Sequence, residues 1–113
     1  IEAKLGRSKK IKIINNYNDL KKIFSKNKKK KNLLIANWSI SEFPMKLRKQ
    51  LAFLFKYFDF QIISYQDRFE NIDNSKYFKK INRFNLMNNR NSKIIELKNK
   101  KNNFYLFSFK KEK

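Results

Sequence analysis

The six residues Asn37-Trp38-Ser39-Ile40-Ser41-Glu42 set a carboxamide, an indole, two hydroxyls and a carboxylate directly behind an unbroken apolar run, Leu33-Leu34-Ile35-Ala36. A surface strand would alternate polar and apolar residues, and a purely structural turn would favour Gly or Asn-Gly. A strand that crosses a core and ends at a ligand accounts for the change of character. A second apolar run behaves the same way, because Phe60 to Tyr65 gives way to Gln66, Asp67 and Arg68. The sequence holds no Cys and no His, which excludes imidazole and thiolate chemistry and removes the usual zinc ligands. Acid–base work falls to Asp, Glu, Lys or Tyr, and Glu42 is the only carboxylate of the first cluster.

The elements that must position these clusters follow from periodicity. Residues 11–16 form a β-branched run that stops at Asn15 and Asn16, as a strand followed by a turn would. Asn18 or Asp19 can cap a helix with Leu20, Ile23 and Phe24 on one face. Leu33 to Ala36 reads as a strand buried on both faces. Pro44 suits the first turn of a second helix, whose Leu47, Leu51, Leu54, Phe55 and Phe58 share a stripe. Lys46, Arg48, Lys49 and Lys56 fall largely off that stripe. Residues 60–65 make the next strand, and Asn74 or Ser75 can cap a third helix carrying Tyr77, Phe78, Ile81 and Phe84 on one side. Two β-rich runs, 92–99 and 102–110, are joined by too short a polar link for a helix and so form an antiparallel hairpin.

The expected fold class is therefore α/β: alternating strands and helices building a parallel sheet that ends in an antiparallel hairpin. Ligands of such sheets gather beyond the carboxyl ends of the strands. That rule puts Asn37, Trp38, Ser39, Ser41 and Glu42 on the same side as Tyr65, Gln66 and Arg68.

A chain of 113 residues makes one modest domain, and 41% hydrophobic with 16% aromatic residues argues against disorder. No apolar run approaches the roughly 20 residues that span a bilayer, and no secretory leader opens the sequence. A cytoplasmic protein with no membrane partner is the expectation. Lys and Arg number 29 against 9 acids, a formal charge of +20. Phosphate neutralisation by a small RNA-binding or ribosomal protein would explain this, with Lys28 to Lys31 and Lys110 to Lys113 as contacts. Codon bias explains it equally well, since the abundant Lys, Asn, Ile and Phe all have A/T-rich codons. The RNA-binding reading leaves the polar strand ends, and the aromatics at helical core spacing, without a purpose.

Three segments carry a resemblance: "NLLIANWSISEFPMKLR", "IISYQDRFENIDNSKYFKK" and "NNFYLFSFKK". In this order they resemble the sugar O-methyltransferases, a family within the class I S-adenosylmethionine-dependent methyltransferases. The matching positions are Trp38, Ser41, Glu42 and Pro44, then Tyr65 and Gln66, then Phe69 to Asn74 with Tyr77 and Phe78. The resemblance implies a partial Rossmann-like methyltransferase sheet, with residues 1–113 as a single, truncated, carboxyl-terminal part of the domain. S-adenosylmethionine would be the cofactor and a sugar or glycan hydroxyl the acceptor. Asn15, Asn16 and Asn37 would border the cofactor, Glu42 would orient or deprotonate the hydroxyl, and Trp38, Ser39, Ser41, Tyr65, Gln66 and Arg68 would hold the acceptor. The family's Gly-rich cofactor loop needs close backbone approach, and this chain has only Gly6. The resemblance therefore also implies missing strands, exposed apolar faces and no measurable cofactor binding by this stretch alone.

Each candidate has a plainer alternative. Ser41 and Glu42 could cap the following helix, Trp38 could be a core residue, and Arg68 could pair with Asp67 or Glu70. Asn15 and Asn16 could be turn residues.

Overall fold

The computed structural model describes residues 2–5, 9–12, 17–26 and 31–111. The chain divides into two compact units, residues 1–30 and 31–113. In the first, strand β1 (Glu2–Leu5) pairs antiparallel with β2 (Lys9–Lys12), setting Ala3 opposite Ile11, and helix α1 (Tyr17–Lys26) follows. The strand expected over 11–16 thus starts earlier and belongs to a two-stranded ribbon, while Asn15 and Asn16 lie outside the described residues. Asn18 and Asp19 sit inside the first turn of α1, where the carboxylate favours the positive end of the helix.

The second unit is a mixed sheet with two α-helices, so the described chain is mixed α/β with three α-helices in all. Strand β3 (Leu33–Asn37) runs into a short 3-10 turn, Ile40–Glu42, and then helix α2 (Met45–Phe55). Strand β4 (Phe60–Gln66) returns parallel to β3, which is the pairing the alternation of elements predicts. A two-rung ladder, β5 (Arg68–Phe69) with β6 (Ile72–Asp73), leads into helix α3 (Asn74–Met87). The hairpin β7 (Arg90–Glu96) and β8 (Asn103–Lys110) closes the unit. The sheet order is β3-β4-β8-β7, so the last strand is inserted between β4 and its own hairpin partner.

Alternation along these strands divides the sheet into unlike faces. Ala36, Ile63, Tyr65 and Leu106 point to one side and are buried there with Ile40, Phe55 and Phe78. Apolar burial on this scale is the dominant stabilising contribution, at about 25 cal/mol per Å². The opposite face is open. Leu33 and Ile35 are 52% and 59% exposed, and Phe60, Phe107 and Phe109 beside them are also exposed. The expectation that β3 is buried on both faces is therefore corrected. Among the described residues β3 is an edge strand, and the helical layer covers only the Leu34 and Ala36 side.

Two further expectations change. Helix α2 has Pro44 at its N-cap and ends at Phe55, so Phe58 lies beyond it and Leu47 is exposed. Arg48, expected off the inward stripe, is fully buried. Helix α3 is capped by Asp73 rather than Asn74 or Ser75: the Asp73 carboxylate accepts from the Lys76 N–H at 3.0 Å. No helix among the described residues is long and apolar enough to cross a membrane.

Candidate functional site

Both parallel strands end in polar groups on the open face. In register, Asn37 stands opposite Ser64, and Gln66 opposite Asn103. The Ser64 hydroxyl donates to Asn37 Oδ1 at 3.1 Å, and the Trp38 N–H donates to the Ser64 carbonyl at 2.9 Å. Trp38 extends the ladder by one bond and then leaves it with φ of 51°. That is the left-handed region, where an L-residue crowds its Cβ against the next carbonyl at a cost of about 1–2 kcal/mol. Its indole is 38% exposed rather than in the core, and the Lys100 ammonium stands 5.1 Å from its ring centroid. A strained, exposed aromatic at a strand's carboxyl end is the kind of outlier that marks binding sites.

Glu42 belongs to a different part of the same end. It lines a cavity of about 1010 Å³ together with Phe69, Glu70, Asp73, Lys76 and Tyr77. The β5–β6 turn that forms one wall is tight, with Glu70 at φ of 54°. The cavity mixes carboxylates, ammonium groups and two aromatic surfaces, which suits a polar ligand with an apolar face.

The structure therefore splits the predicted set. Asn37 and Gln66 fall on the open face by alternation, and Trp38 and exposed Ser39 follow Asn37 beyond the strand. Glu42 faces the cavity. Arg68 is exposed on β5, opposite Asp73 in the ladder. Tyr65 is different: its ring stacks on Phe78 at 4.2 Å and Phe104 at 5.3 Å and is only 1% exposed. Burial, with a smaller contribution from Asp67, pushes its pKa up to about 12, so the phenol stays neutral. Ser41 is fully buried, and it caps nothing; helix α2 has no side-chain cap.

What Ser41 contributes is its carbonyl. Arg48 Nη2 donates to it at 2.6 Å and Asn74 Nδ2 at 3.2 Å, while Arg48 Nε donates to the Phe43 carbonyl at 2.9 Å. The Arg48 guanidinium also lies over the Tyr77 ring, 4.7 Å from its centroid. Burial lowers the Arg48 pKa and raises that of Tyr77, and each partly offsets the shift of the other. One buried cation thus ties the turn that carries Glu42 to the start of α3. Sequence reasoning missed this positioning role. The signal was present, since Arg48, Leu51 and Phe55 share the i, i+3, i+7 face of α2.

No family model matches the chain, and no curated protein or solved structure does either.

Proposed function

We propose that this chain is the carboxyl-terminal part of a class I S-adenosylmethionine-dependent methyltransferase domain acting on a sugar hydroxyl. One observation carries the reading most: a parallel pair, β3 and β4, ends in polar clusters and is closed by a terminal antiparallel hairpin. The resemblance implies that arrangement. The open apolar face supports it too, because Leu33, Ile35 and Phe109 form a surface that further elements of such a domain would cover.

The described residues do not by themselves fit S-adenosylmethionine. Asn37 and Trp38 offer one polar and one aromatic edge, but no Gly-rich loop accompanies them. For the acceptor the fit is better. Glu42 can accept the proton of a hydroxyl, Asn71 and Lys76 can hold its neighbours, and Tyr77 and Phe69 give a sugar ring an apolar wall. Arg48 and Asn74 fix the turn on which Glu42 stands.

Reading the coding DNA upstream of Ile1 tests the proposal. An in-frame extension encoding a strand, a Gly-x-Gly loop and a helix, with an acid about 20 positions on, supports it. A start codon adjoining Ile1 removes it.

RNA binding is the second reading, and one observation favours it. Lys76, Lys79, Lys80 and Arg83 line one depression on α3. Filter binding that weakens steeply as salt rises would support this reading. Weak binding with no preference among nucleic acids would leave the basic stripe an incidental surface.

A further inference from the structure

A groove of about 780 Å³ runs between α2 and α3, toward the end of the sheet away from the strand termini that carry Asn37 and Gln66. Its floor is apolar, formed by Ala52, Phe55, Ile81 and Phe84. Phe84 was expected on the inward stripe of α3 but is 60% exposed. One exposed aromatic is ordinary, but an apolar surface that is contiguous and rimmed by charged residues marks an interaction site, and Phe84 adjoins such a floor.

The frame is cationic. Lys49 and Lys56 stand on the α2 side, Lys80 on the α3 side, and Lys110 and Lys111 at the end of β8. The described lining contains no carboxylate. The neighbouring cavity shares Lys49, Lys80 and Ile81 with the groove, and its carboxylates Glu42, Glu70 and Asp73 lie outside the groove's own lining. Asp59 lies behind the rim, 3.8 Å from the Lys110 ammonium, and offsets one charge. Buried Arg90 is turned inward, its Nε donating to the Ser108 hydroxyl at 2.9 Å.

We infer that this groove docks an acidic amphipathic helix of a partner protein. The distribution of charge selects the occupant. Lys49 and Lys56 are separated by two helical turns, about 10 Å, and Lys80 faces them across an apolar floor. A single-headed anionic amphiphile would meet cations at one end only. A helix with an apolar stripe flanked by carboxylates meets them along both walls. Nucleic acid would satisfy the cations but would leave exposed Ala52, and the apolar edge of the floor beside it, in a polar setting.

The test uses a labelled peptide of about four helical turns, with Leu at i, i+3, i+4 and i+7 and Glu at most other positions, against a scrambled peptide of the same composition. Fluorescence anisotropy with the whole chain should show saturable binding of the patterned peptide only. Phe84→Ser and the pair Lys49→Glu with Lys56→Glu should each weaken it about tenfold or more. These side chains are exposed, and circular dichroism checks that each variant is folded. Failure of the patterned peptide to bind overturns the inference. So does equal binding of the scrambled peptide, or competition by a single-stranded oligonucleotide that Phe84→Ser does not alter.

Discussion

Arg48 Nη2 donates to the carbonyl oxygen of Ser41 at 2.6 Å, although both residues are completely buried and seven positions apart. The bond turns a basic residue in a basic chain into an internal strut. It holds the exit of β3 against α2, and Asn74 extends the grip to α3 by donating to the same oxygen. The geometry around Glu42 follows from this hub together with the bond from the Glu42 N–H to the Ser39 carbonyl at 3.1 Å.

Replacing the strut should be costly. Arg48→Met keeps an unbranched side chain but leaves the Ser41 carbonyl with Asn74 alone and takes the guanidinium donor from that of Phe43. Hydrogen bonds from a charged donor contribute about 1.5–3 kcal/mol, and a buried carbonyl left bare costs a similar amount. Urea unfolding should show a loss of about 2–3 kcal/mol. Wild-type stability in Arg48→Met would mean the guanidinium network contributes nothing net, as some buried ion groups do.

Tyr65 predicts a stability change with pH. Its pKa rises from 10.0 to about 12, first by burial and then by the nearby charge of Asp67. The unfolded chain releases this proton near pH 10 and the folded chain near pH 12. Below pH 10 the contribution is therefore whole; as pH climbs from 10 to 12 the unfolded state binds fewer protons and stability falls. The full loss is about 2–3 kcal/mol on the scale of 1.36 kcal/mol per pKa unit. Tyr65→Phe should flatten that part of the curve. Parallel stability curves for the two proteins across the window would contradict the assignment.

Trp38 tests whether the strand end is strained. Its φ of 51° suits Gly or Asn far better than a bulky residue. Trp38→Val should destabilise the chain by about 1 kcal/mol more than Trp38→Asn, because a β-branched side chain tolerates that conformation worst. Chemical denaturation of the pair measures the difference. Equal stabilities would show that the backbone relaxes there and stores nothing.

Much of the fold was legible because its signals are local. Leu33 to Asn37, Phe60 to Gln66 and the closing hairpin appear where apolar runs and turn residues put them. The roles of individual residues were less legible because they depend on partners far along the chain. Tyr65 ends an apolar strand, yet whether it faces a ligand or Phe78 depends on which face α3 covers. Ser41 looked like a hydroxyl at a site; only the approach of Arg48 and Asn74 makes its carbonyl the working atom. Leu33 and Ile35 read as core because an apolar run cannot say whether a layer packs on each face of its strand. Glu42 and Trp38 share one short segment, yet of the two it is Glu42 that lines the cavity.

The open sheet face gives the last prediction, and alternation along β3 supplies its internal control. Ile35 points to the exposed face and Leu34 packs against the buried cluster. Leu33→Lys or Ile35→Lys should change stability by no more than about 0.5 kcal/mol, as exposed substitutions do. Each should also lower binding of a hydrophobic dye and reduce light scattering, because charge on an edge strand blunts strand-to-strand association. Leu34→Lys, one position away, forces an ammonium against the buried cluster or drives the strand off the core, and should unfold the chain. Equilibrium unfolding and dye fluorescence on the same three variants separate the cases. If Ile35→Lys proves as damaging as Leu34→Lys, the face is covered in solution, and β3 is not the free edge its exposure indicates.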